Sequence, residues 1–228
     1  RLDESADCIK QSVEVFTRLT EKNDSVLKYH SGLGLSFRIL AELQYDQGQA
    51  EESLVSLNRS IETLVKTYER DTTHAPVQTQ LAKGYQVRAE LLNKLQRFTE
   101  AVADWEQALK FCREPERIEF KIQQAYSLLW SGATDDALSK ANALSQEPSL
   151  SRYHQVGLSK VYASASAKVP DRAEEFMSQA RASLKKAIEL GFDRLDQLQN
   201  EPDLLPLLSE PYFQEFMAAR KSSATKDD

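Results

Sequence analysis

The sequence predicts an all-α chain built from repeated antiparallel helical hairpins, and three observations predict it. First, the chain aligns with itself without a gap when displaced by 48 residues. Ser5, Ser53 and Ala101 then coincide, as do Ile9, Leu57 and Trp105, then Ser12, Ser60 and Ala108, then Val13, Ile61 and Leu109. Second, small residues seven apart with a large one between them share a helix face, the spacing that lets two helices approach closely around a filled groove. Third, the punctuation falls where helices start and stop, and no segment reads as a strand.

The elements follow in order. In the first register Leu33, Phe37, Ala41 and Glu42 coincide with Leu81, Tyr85, Ala89 and Glu90, so two equivalent helices are predicted, ending at Gly48 and Gln96. Weaker copies follow: Gln124, Ala125 and Leu128 to Gly132, then Ala137, Ala141 and Leu144; and Tyr153, Val156 and Gly157, then Ala180, Leu184 and Ala187. An insertion over 164–174 containing Pro170 requires a loop or a helix extension. Pro76, Pro115 and Pro211 suit first helical turns. Thr99-Glu100 and Thr134-Asp135-Asp136 suit helix N-termini, where hydroxyls and carboxylates satisfy free N–H groups. Gly191 suits a C-cap. After it, Phe192, Leu195, Leu198, Leu204, Leu205, Leu207, Leu208 and Phe213 give an apolar segment suited to covering the last hairpin.

The order of aromatic, Leu, small residue and turn Gly, then Ala-x3-large-x2-Ala, resembles the tetratricopeptide repeat. The resemblance implies a right-handed superhelix of antiparallel hairpins with a C-terminal capping segment. The expected repeat array covers 1–190, in units of about 1–24 (partial), 25–72, 76–114, 116–147 and 150–190. A cap over 191–220 and a frayed tail over 221–228 complete it. The usual unit is ~34 residues, so the 48-residue spacing predicts helices extended by a turn or two. The run Leu184 to Phe192, followed by Pro202-Asp203-Leu204, Pro206-Leu207 and Pro211-x-Phe213, resembles the C-terminal repeat region of the large serine/threonine kinases of planctomycete-type bacteria. That resemblance implies a cytoplasmic protein-interaction scaffold that recruits substrates to, or regulates, an upstream kinase domain. A stand-alone bacterial adaptor is the alternative. The first residue is Arg1 rather than Met, which suggests an excised fragment.

The chain carries no kinase chemistry of its own: it has no Gly-rich phosphate loop, no His-Arg-Asp loop and no Asp-Phe-Gly. His30, His74 and His154 lie far apart without metal-ligand spacing. No catalytic, cofactor or metal site is expected. Cys8 and Cys112 are expected to be buried free thiols in a reducing compartment. A net charge of −6 without a basic run argues against a nucleic-acid footprint, and no apolar stretch reaches bilayer-spanning length.

A protein or peptide partner remains. Repeats of this kind bind extended peptides or helices on the inner face. The repeat phase assigns that face to Arg38, Glu42, Tyr45, Lys83, Gln86, Glu90, Asn93 and Lys94, then to Ile122, Tyr126, Leu129, Trp130, His154 and Leu158. Trp130 lies either in this groove or against the insertion. Trp105, Phe37, Tyr85 and Tyr153 are assigned to packing. Tetratricopeptide domains that clamp a chaperone's terminal carboxylate need Asn where this chain has Glu42 and Glu90, so carboxylate-clamp function is not expected. Self-association through the apolar face of the first helix (Ile9, Val13, Phe16) is a further expectation.

Overall fold

The computed structural model describes residues 2–224, with side chains described over 7–218. The chain packs as two compact units, Arg1–Phe120 and Lys121–Asp228.

The first unit contains α1 (Leu2–Lys22), α2 (Leu27–Asp46), α3 (Ala50–Arg70), α4 (Ala75–Lys94), α5 (Phe98–Phe111) and the start of α6 (Glu114–Ser131). Successive helices from α1 to α5 pack on one another, and α2 also touches α4. The small residues of the repeat do what their spacing requires. Ser53 and Ser60 of α3 are buried, and each donates its hydroxyl to a backbone carbonyl of α2: Ser53 to Ala41 at 2.7 Å and Ser60 to Gly34 at 2.6 Å. Ser12 of α1 instead meets the hydroxyl of Ser36 of α2, Oγ to Oγ at 2.8 Å. Ser5 falls outside the residues whose side chains are described. Between the small residues, Leu57 and Trp105 are fully buried in one core with Leu81, Ala89, Ala101 and Ala108. Trp105 and Phe120 pack with ring centroids 5.5 Å apart.

The repeat also explains how the helices end. After α2, the Gly48 N–H reaches the Tyr45 carbonyl at 2.9 Å and the Gln49 N–H reaches that of Gln44 at 2.8 Å. This is the paired closure of a Schellman motif, with the residue past the cap in the left-handed region. After α4 the same pair is made by Gln96 and Arg97, and Gln96 takes φ +60 without being glycine. As expected from their spacing, α2, α3 and α4 are long, at 20, 21 and 20 residues, but α5 has only 14. It is cut short by Glu114-Pro115, which opens the next helix.

The second unit continues with α7 (Thr134–Ser145), α8 (Arg152–Lys168), a 3-10 turn at Pro170–Arg172 and α9 (Ala173–Glu189). Two 3-10 turns (Leu195–Asn200 and Pro202–Leu204), α10 (Leu205–Leu208) and α11 (Pro211–Ala224) follow. The 164–174 insertion is absorbed by running α8 to Lys168 and turning at Pro170. α8 and α9 form a hairpin using the same device as the first unit, with Ser159 donating to the Ala180 carbonyl at 2.9 Å. Gly191 closes α9 with the Schellman pair Gly191 to Ile188 and Phe192 to Ala187. The segment after it is a cap: Phe192, Leu195, Leu204, Leu207, Leu208 and Phe213 are all buried. Arg181 of α9 pins it further through two hydrogen bonds to Glu210, at 2.7 and 2.9 Å. Of the 221–228 tail, residues 221–224 end α11 and 225–228 lie outside the described residues. Among the described residues there is no strand, and no helix is long and apolar enough to cross a membrane.

Three packing expectations are corrected. Tyr153 is 54% exposed, because a first-turn position of α8 places its ring at the edge of Phe192 rather than in the core. Phe37 is half-buried, with Arg59 over its ring. Cys8 is exposed while Cys112 is buried, where burial pushes its thiol up from the ordinary value. On α1, Ile9, Val13 and Phe16 are half-buried, with Phe16 against Gly32 of α2.

Candidate functional site

Two clefts of the first unit compete for attention. The larger, about 470 Å³, lies on the side of α3 and α5 and is lined by Glu51, Asn58, Arg88, Arg97, Glu100 and Asp104 among others. Its charges are spent on one another. Arg88 donates through Nε and Nη2 to the two oxygens of Asp104, both at 2.7 Å, and through Nη1 to Asn58 at 2.7 Å. Arg97 grips Glu100 with two hydrogen bonds of 2.6 and 2.7 Å. The Glu100 carboxyl is thereby held below the usual range, first by the Arg97 hydrogen bond. Arg88 and Asp104 thus brace α4 to α5, and of the charged lining only Glu51 is left with a single long contact, 4.0 Å to Arg97.

The second cleft, about 220 Å³, lies between α2 and α4 and is lined by Glu42, Tyr45, Asp46, Lys83, Val87, Glu90, Leu91 and Lys94. Its floor is apolar and its rim carries both charges. Residues 42, 45 and 46 fall on one face of α2. Residues 83, 87, 90, 91 and 94 recur at three- and four-residue spacing on the facing side of α4. The Lys94 ammonium sits 4.3 Å from the Tyr45 ring centroid, a cation–π contact across the cleft from α4 to α2. Lys83 donates to Gln86 at 3.1 Å and Gln86 to Glu90 at 2.8 Å, so the α4 rim is a chain of polar contacts. Arg38 is ion-paired to Glu42 one turn on.

Glu42, Tyr45, Lys83, Glu90 and Lys94, all expected on the inner face, come together in this one cleft. Arg38 and Gln86 act behind it, as partners of Glu42 and Glu90. Asn93 does not line it. The sequence reading missed Asp46, Val87 and Leu91; the signal was the four-residue spacing Lys83-Val87-Leu91, which continues the face already chosen.

The second-unit assignments divide. Ile122, Leu129 and Leu158 are core residues and not groove residues; Ile122 packs its methyl against Gly157 of α8. His154 is a helix cap: its Nδ1 accepts from the Ser151 N–H and its own N–H donates to Ser151 Oγ, both at 3.2 Å. Tyr126 and Trp130 remain half-buried on a shared face, ring centroids 6.2 Å apart. Among the described residues no group of three His, Cys, Asp or Glu could hold a metal ion.

No protein-family profile matches the sequence, and no curated protein matches it. Among solved structures, the chain is similar to one described as a kinesin light chain with nearly identical TPR-like repeats from Podosopora anserina. The TM-score is 0.53 and the identity 18%, over 81% of this chain and 92% of that one. It is also similar to BtubC (BKLC) from P. vanneervenii, with TM-score 0.56 and 17% identity over 99% and 90% of the two chains. Yeast Tom70 aligns at TM-score 0.37 and 16% identity over 82% and 40%, too distant to carry weight. At these identities the likeness is one of fold: paired helices of the tetratricopeptide-like kind.

Proposed function

We propose, from the tetratricopeptide-like hairpins of this chain, that it is a protein-interaction scaffold and that the cleft between α2 and α4 docks a peptide or helix of its partner. The observation that carries the reading is the convergence of Glu42, Tyr45, Lys83, Glu90 and Lys94 from two successive helices onto one apolar-floored cleft. Its rim of three carboxylates (Glu42, Asp46, Glu90) and two ammonium groups (Lys83, Lys94) suits a segment of mixed charge with one apolar anchor. A terminal carboxylate is disfavoured, because Glu42 and Glu90 would repel it and Arg38 is already committed to Glu42.

Selection of displayed random peptides against the chain tests this. Peptides whose binding is lost in Tyr45→Ala and in Lys94→Glu support the cleft. Peptides that bind both variants unchanged place the docking surface elsewhere.

The finer reading makes the scaffold the substrate-recruiting or regulatory arm of a cytoplasmic bacterial serine/threonine kinase. It rests on the resemblance of the Leu184–Phe192 run and the proline-spaced segment after it. A stand-alone adaptor is the alternative. The coding sequence upstream of Arg1 separates the two: a Gly-rich loop, His-Arg-Asp and Asp-Phe-Gly there mark the kinase arm, and further repeats alone mark the adaptor.

A further inference from the structure

The second unit carries a strip of alternating rings and ammonium groups. Tyr126 and Trp130 stand one turn apart on α6. From α8, Lys160 lies 4.9 Å from the Tyr126 centroid and Lys168 lies 4.3 Å from that of Trp130. Every polar group of these four side chains can donate a hydrogen bond, two of them as ammonium ions, and the rings supply apolar surface between the charges. Such a strip is complementary to carboxylates flanked by apolar groups.

Half of it is already filled in that way. The chain turns back after α9, and Glu201-Pro202-Asp203 crosses the strip. Tyr126 donates its hydroxyl to Asp203 at 3.1 Å, and Lys160 is ion-paired to Glu201. Burial first, then the neighbouring carboxylates, push the Tyr126 phenol well above its ordinary value, so it stays protonated as a donor. The strap is anchored on either side by Leu195 and Leu204, both fully buried, while Glu201, Pro202 and Asp203 are themselves partly or wholly exposed. Lys168 is exposed beyond the strap's end.

We propose that the Tyr126–Trp130–Lys160–Lys168 strip is a docking surface for an acidic segment of a protein partner, and that Glu201-Pro202-Asp203 holds its Tyr126–Lys160 half as a competing ligand in cis. The strap shows which chemistry the strip accepts. Its anchors lie outside the acidic residues, so a partner competes by replacing the Glu201 and Asp203 side chains without lifting the cap. A basic segment is excluded by two ammonium groups. This site belongs to the second unit and stands whether or not the α2–α4 cleft binds anything.

The test uses the whole chain and a fluorescein-labelled peptide copying residues 198–205, with a control in which Glu and Asp are replaced by Lys. Polarisation should report weak binding to the wild type. Affinity should rise by about fivefold or more in Glu201→Gln/Asp203→Asn, from the release of one or two partly exposed ion contacts. Adding Lys160→Glu should remove that gain, and the control peptide should bind neither the wild type nor the strap variant. A folded Glu201→Gln/Asp203→Asn chain with no gain, or a gain that survives Lys160→Glu, overturns the proposal and leaves the strap as a structural pin. If Glu201→Gln/Asp203→Asn does not fold, Lys168→Glu alone decides against the wild type. Weakened peptide binding supports the strip, and unchanged binding, or none in the wild type, overturns it.

Discussion

Arg88 of α4 and Asp104 of α5 are joined by two hydrogen bonds of 2.7 Å each, with Asp104 only 4% exposed. Sixteen residues apart in sequence, they tie the two helices of one hairpin together. Removing one partner of such a pair leaves the other charge buried and unpaired. Asp104→Ala should therefore cost about 3 kcal/mol of unfolding free energy. The apolar double replacement Arg88→Met/Asp104→Leu should cost less than that single change. Urea unfolding of both variants checks the order; a double replacement costing more than Asp104→Ala would show that the pair is worth more than its burial costs.

Gln96 occupies the turn position that Gly48 fills one repeat earlier, at φ +60. A side chain there is strained by roughly 1 kcal/mol relative to glycine. Gln96→Gly should raise stability by about that amount. Gly48→Ala should lower it comparably, because nothing lies within 4 Å of the added carbon and only the backbone conformation is at issue. Paired urea midpoints read both changes.

Gly34 tests close approach instead of turn geometry. A Cβ there would lie 2.6 Å from Leu64 Cγ, where at Gly84 the nearest atom, of Ile61, is 3.3 Å away. Gly34→Ala should lose about 2 kcal/mol through overpacking, and Gly84→Ala distinctly less. Thermal melts of the two would contradict the packing argument if they were equal.

Asp24, in the turn before α2, accepts from Arg70 at 3.0 Å and lies beside His30. Its carboxyl is held below the ordinary aspartate value, chiefly by the Arg70 hydrogen bond. A depressed carboxylate contributes stability above its unfolded value and loses it as pH falls through the folded one. The stability difference between wild type and Asp24→Asn should therefore be present at neutral pH, shrink below about pH 4 and diminish in high salt. No difference at any pH would assign the contact to the Asp24 main-chain carbonyl, which also binds Arg70 and His30 and which Asn keeps.

The two thiols should separate cleanly. Cys8 is exposed and Cys112 is buried with its thiol pushed up, so a disulfide reagent should titrate one thiol at once and the other only on unfolding. Cys8→Ser should abolish the fast phase.

The hairpin phase was legible because it is written twice: Ser53 and Ser60 can donate to α2 carbonyls only from the face that their seven-residue spacing defines. The α2–α4 cleft was legible for the same reason, down to five of its lining residues. The second-unit face was not. Ile122, Tyr126, Leu129 and Trp130 are all apolar or aromatic on one helix, and periodicity alone does not say which side meets α8. Ile122 and Leu129, seven apart, went to the core, and Tyr126 and Trp130, four apart, to the strip. The Arg88–Asp104 brace and the strap over Tyr126 gave no signal either, since partners 16 and 77 residues apart follow no helical period.

α3 and α5 begin 48 residues apart, yet α3 has 21 residues and α5 has 14. The difference of seven is close to two whole turns, so the chain leaves the shorter helix within about 20° of the direction in which it leaves the longer one. Helix length in this chain is thus a quantity that can be edited in heptad steps, lowering the wall of a hairpin without redirecting the chain's exit from it. A loss of five residues would swing that exit by roughly 140°, while the Leu57-type position near the start would stay where it is.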